Sequence, residues 1–182
     1  MPKPAGRIRF EAKLQRPATP IGADWAFLLL PSVASKQLPT RSMVSVDGTL
    51  AGSPFQATLE PDGAGGHWLK VGAELLAASA VAVGQAVALD IAPMAKEPEP
   101  KLPDDLRQAL SVHPAAKAVW DDVTAVARRD WIAWITSGKK AETRVKRIAV
   151  AIDKLAAGQR RACCFDRSGK FGGGFCVPEA AE

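Results

Sequence analysis

The chain has 182 residues, 47% hydrophobic and 24% charged. This composition excludes a disordered, collagenous or disulfide-built chain. No apolar run is long enough to cross a bilayer, so membrane insertion is not expected. The net charge is +5, yet Arg128–Arg161 alone holds ten bases and three acids, or +7.

The opening residues, MPKPAGRIRF, lack the apolar core of a secretory signal, so a cytoplasmic location is expected. RIRFEAKL then alternates, placing Ile8, Phe10, Ala12 and Leu14 on one side and charges on the other, as a half-buried strand does. ADWAFLLLP reads as a more buried strand closed by Pro31. SMVSVDGTLAGSPFQATLEP gives two strands with a turn near Gly52 and Ser53, and Val44, Val46, Phe55 and Leu59 pointing inward. DGAGG is a loop, HWLKV resumes the sheet, GAELLAAS forms a short helix, and QAVALDI is a last strand. Several short strands at close spacing predict a small barrel, which also disposes of exposed edges.

APMAKEPEPKLP holds Pro93, Pro98, Pro100 and Pro103, which keep the chain extended and mark a domain boundary. Beyond it the period becomes helical. Pro103 suits a first helical position, with Asp104 and Asp105 at the positive end of the dipole. A second helix starts near Pro114 and carries Val119, Trp120 and Val123, and Thr124 marks a break. A third holds ARRDWIAWI, with Trp131, Ile132 and Ile135 inward and Gly138 closing it. A fourth runs from near Lys140 to Gly158, where Ala141, Val145, Ile148, Ile152 and Leu155 form an apolar stripe. The expected class is therefore α+β: a small β-barrel over 1–97, an all-helical domain over 98–162 and a tail over 163–182.

Beside that stripe runs a basic one. Arg128, Arg129, Lys139, Lys140, Thr143, Arg144 and Arg147 are the candidates for an anion site, since arginine offers forked donors that match phosphate or carboxylate. The bland alternative is a solvated face with arginines paired to Asp121, Asp122, Asp130 or Glu142. A second candidate is a pocket at the barrel mouth, near Trp25, Phe55, His67 and Trp68. Cys163, Cys164 and Cys176 lack metal-ligand spacing and are expected to be incidental thiols, so neither a metal nor a cofactor is called for. No catalytic residues are assigned. Ser137 and Lys140 fit S-x-x-K without its companion motifs, and His113 stands at a helix start.

The residues WITSGKKAETRVKRI, then LAAGQRR, resemble the signature of the YdeI/OmpD-associated, bacteriocin-protection-like family, on Trp134, Ile135, Lys140, Glu142, Thr143, Arg144, Arg147 and Ile148. LPDDLRQAL is similar to the same family. WAFLLLP, VDGTLAGSPFQATLEPDGAGGHWLKV and VGQAVALDI resemble a small β-barrel domain of unknown function that precedes it. The resemblance implies a link with envelope stress or bacteriocin resistance and no defined reaction. The leading expectation is a non-enzymatic, stress-response binding protein whose basic helical face meets an anionic ligand or protein partner. Nucleic-acid binding, and a small-molecule or enzymatic pocket in the barrel, are the alternatives.

Overall fold

The computed structural model describes residues 6–138, 140–162 and 177–182. It divides into two units, Met1–Lys96 with Phe175–Glu182, and Glu97–Gly174.

The first unit is a six-stranded antiparallel sheet formed by β1 (Ile8–Lys13), β2 (Ala26–Leu29), β3 (Val44–Leu50), β4 (Ser53–Pro61), β5 (His67–Val71) and β6 (Ala86–Pro93). The strand order is β1-β6-β3-β4-β5-β2. Gln15, just beyond β1, exchanges two backbone hydrogen bonds of 2.8 Å with Phe27 of β2, so the sheet is nearly closed. Closure follows from the residue pattern. Alternate residues Ile8 and Ala12, Val44, Val46 and Leu50, and Val87, Leu89 and Ile91 fill the interior. Arg9, Glu11 and Lys13 face outward. Phe10 and Phe55 lie partly buried at the margin of this core.

Two short helices join the strands. α1 (Ser32–Ser35) starts after Pro31 and was not legible in the sequence, being a single turn. α2 (Ala73–Ser79) is the helix expected from GAELLAAS. The β3–β4 turn falls on Ala51 and Gly52, one residue earlier than expected. Both have positive φ, 47° and 85°, the twist a two-residue hairpin requires. Residues 177–182 return to this unit. The Ala18 N–H donates to the Glu179 carbonyl (2.7 Å), and Ala181 N–H to that of Arg16 (2.8 Å).

The second unit holds α3 (Asp104–Ser111), α4 (Pro114–Asp122), α5 (Ala125–Thr136) and α6 (Ala141–Ala156). Pro103 is the N-cap of α3 rather than its first helical residue. Thr124 Oγ1 accepts from the Ala127 N–H and caps α5. Gly158, at φ 87°, ends α6 in the left-handed conformation that glycine adopts freely. Leu106, Leu110, Trp120, Trp131, Ile135, Ile148, Ile152 and Leu155 form the core.

The expected stripe on α6 needs one correction. Val145 is 67% exposed, and Arg147, expected on the wet flank, is only 8% exposed. The buried set is Arg147, Ile148, Ala151, Ile152 and Leu155, which also fits a 3.6-residue period. The polar end of α5 accepts an arginine at this position, and with Ala141 exposed as well the apolar stripe begins two turns later than residue type alone implies.

Candidate functional site

The candidate cations lie on α5, on α6 and in the turn between them, and most of their guanidinium groups are engaged. Arg128 Nε donates to the Trp120 carbonyl (3.0 Å) and Nη2 to the Asp121 carbonyl (2.9 Å). Its Nη1 grips both oxygens of Glu99, at 2.7 and 2.8 Å. Arg129 sends Nη1 to Glu97 (2.8 Å) and Nη2 to Asp130 (3.0 Å). Arg129 and Glu97 are largely buried, at 12% and 14% side-chain exposure.

Arg144 holds Asp105 of α3 through two bonds, at 2.5 and 3.1 Å. That contact keeps the Asp105 carboxyl below its ordinary range and raises the guanidinium. Arg147 reaches the end of α5. Its Nη1 donates to the Trp134 carbonyl and to Ser137 Oγ, each at 2.6 Å, and its guanidinium stands 5.5 Å from the Trp134 ring centroid. A positive group at a helix C-terminus satisfies carbonyls that have no partner within the helix.

Lys140 is exposed at the N-cap of α6, where no side chain caps the helix. Thr143 follows in the first turn, half-buried, with its Cγ2 3.1 Å from where a Cβ on Gly138 would stand. Gly138 therefore keeps the α5–α6 corner tight through its missing side chain. Lys139 lies outside the described residues, as do Cys163, Cys164 and Cys176.

The barrel candidates do not converge. His67 is fully buried in the sheet, not at an open mouth. Its Nε2 is 3.0 Å from the Ser42 carbonyl, and its backbone N–H donates to Ser35 Oγ. Adjacent residues of a strand point to opposite faces, so Trp68 turns away from His67 and packs edge-on against Phe27. Trp25 lies 4.5 Å beneath the Lys70 ammonium. Phe55 lines a separate, open polar groove of about 580 Å³ with Arg7, Asp47, Thr49 and Gln56. Across the barrel surface Arg7 and Arg9 both bind Asp90, and the Arg7 hydrogen bond lowers that carboxyl's pKa.

Sequence reasoning missed the acidic half of the site. Of the acids offered as partners, Asp130 serves Arg129 and Asp122 serves Arg160 through their side chains. The other carboxylates come from Glu97, Glu99 and Asp105, all upstream of the basic stretch. The signal is the run Glu-Pro-Glu-Pro, 97–100, whose prolines mark an extended linker but whose glutamates give no sign of their distant partners. Among the described residues no cluster of His, Cys, Asp or Glu could hold a metal ion, and no helix is long and apolar enough to cross a membrane.

Comparison with protein families places both units. Residues 99–158 match the model described as bacteriocin-protection, YdeI or OmpD-associated, and residues 10–91 match a domain of unknown function, DUF1905. The helical unit is thus similar to the YdeI/OmpD-associated family over residues 99–158, and the strand unit to DUF1905 over residues 10–91. No curated protein matches the chain. Every described cation of the candidate site falls inside the YdeI/OmpD-associated segment, as do its carboxylate partners Glu99 and Asp105, while Glu97 precedes it by two residues.

Proposed function

We propose that this is a cytoplasmic binding protein, acting in a stress response, whose helical unit receives an anionic partner. One observation carries the reading. Arg128, Arg129 and Arg144 each already hold a carboxylate brought from another part of the chain. These arginines bind carboxylates through charge-assisted hydrogen bonds, and because internal acids already occupy them, a partner's carboxylate must displace those acids. The start of α6, with Lys140 exposed at its N-cap and no side-chain cap there, points the positive end of the helix dipole toward solvent.

Fluorescence anisotropy with labelled hexaglutamate and with a short single-stranded oligonucleotide tests the proposal. Lys140→Glu reverses the exposed charge at the start of α6 and is expected to weaken hexaglutamate binding about fivefold, given up to ~1 kcal/mol per exposed ion pair. Unchanged binding overturns the proposal. Preference for the oligonucleotide, with affinity falling steeply as salt rises, replaces it with nucleic-acid recognition. Cell fractionation checks the location.

A further inference from the structure

Two neighbouring arginines at the start of α5 share one arrangement. In Arg128, Nε and Nη2 are anchored by the carbonyls of Trp120 and Asp121, at the end of α4. In Arg129, Nε and Nη2 are anchored by Asp130 Oδ1, at 3.2 and 3.0 Å. Each residue gives its Nη1 to the same short segment, Arg128 to Glu99 and Arg129 to Glu97. The two guanidinium groups are therefore oriented by groups that do not belong to the segment they hold.

The segment is suited to this use. Pro98 and Pro100 alternate with the glutamates, fix φ and contribute no N–H. In a polyproline-type chain the rise is about 3.1 Å per residue, so residues two positions apart are separated by about 6 Å along the chain axis. The segment presents acceptors, and the arginine pair presents donors.

We propose that Arg128 and Arg129 form a receptor for an extended acidic segment with carboxylates two residues apart, and that Glu97–Pro100 occupies it in cis as an autoinhibitory strap. The proposal rests on the reading of the helical unit as an acidic-partner surface, and it names the partner's chemistry and the element that holds the site shut. A competing segment from another chain must displace the strap, and it meets donors that remain aligned when the strap leaves. Because the strap is tethered at high effective concentration, it raises the apparent Kd of any competitor.

The test uses the full chain and a fluorescein-labelled peptide of sequence Pro-Glu-Pro-Glu-Pro, with the Gln-for-Glu peptide as control. Glu97→Gln/Glu99→Gln removes the charges of the strap and is expected to bind the peptide about tenfold more tightly than the wild type does, as expected for removal of an internal competitor. Glu99→Gln alone, at a side chain 60% exposed, leaves the buried Glu97–Arg129 pair intact and is expected to show a smaller gain. If the double variant does not fold, the single variant decides.

Binding no tighter than wild type in folded variants overturns the strap. If the peptide binds wild type and variants alike, and Lys140→Glu abolishes that binding, the strap fails while the surface proposed above stands. If no form binds the peptide or hexaglutamate, both fail. If the double variant gains equally for an oligonucleotide, the receptor is not selective for acidic peptide and this proposal is overturned.

Discussion

Single residues show where local chemistry meets a packing constraint. Gly48 lies in the middle of β3, opposite Phe55 on one side and Ile91 on the other. A Cβ there would stand 2.1 Å from the Asp90 carbonyl oxygen and 2.8 Å from Ile91 Cα, both backbone atoms. Gly48→Ala is expected to cost about 3 kcal/mol or to prevent folding of the barrel, as overpacking against rigid atoms does; urea unfolding reads it. On α6 the two mistaken positions make a paired test. Arg147→Ala removes two charge-assisted bonds to the end of α5 and is expected to cost about 2 kcal/mol. Val145→Ser, at an exposed site, is expected to stay within about 0.5 kcal/mol of wild type. The valine is more apolar and the arginine more charged, so residue type alone ranks the two in the wrong order.

Between elements, acids and arginines act as ties. α4 ends in carbonyls taken by two incoming side chains, Arg128 at Trp120 and Asp121, and Arg160 at Asp122. α3 is tied to α6 by Asp105 and Arg144. Since the Asp105 pKa is lower folded than unfolded, its contribution is present above the ordinary carboxylate value of about 3.9 and is lost as pH falls through the depressed folded value. The stability gap between wild type and Asp105→Asn is therefore expected to narrow below about pH 4. Asp130 has the opposite sign. Burial raises its pKa, with Arg129 and Arg161 opposing and Glu97 adding to the rise. The folded state holds that proton to higher pH than the unfolded chain does, so stability falls as pH rises from the ordinary value through the raised one. Asp130→Asn is expected to remove this slope. Urea titrations across pH, followed by the fluorescence of Trp120, Trp131 and Trp134, measure both effects in the helical unit.

At the scale of the whole chain, the dense charge of the sequence is partly dispersed by folding. The Arg128–Arg161 stretch carries +7 in linear order, yet Glu97, Glu99, Asp105 and Asp122 come from outside it to pair with Arg129, Arg128, Arg144 and Arg160. The C-terminal residues likewise return to the first unit, beside Arg16–Ala18. Truncation before Val177 removes two of these backbone bonds, each contributing about 1 kcal/mol net. It is expected to lower the melting temperature of the barrel by several degrees and to speed amide exchange at Ala18, leaving the helical unit unchanged.

The sequence by itself determined the strands, the longer helices and the change of period at the proline run. These are properties of nearby residues, set by backbone geometry and side-chain alternation. Only the tertiary structure decided that Arg147 lies inside and Val145 outside, that His67 is sealed in the barrel wall, and which acids meet which arginines. Those outcomes depend on where distant segments are brought together. An ion pair has no period, and a carboxylate thirty or forty positions upstream leaves no local mark on the arginine that will hold it.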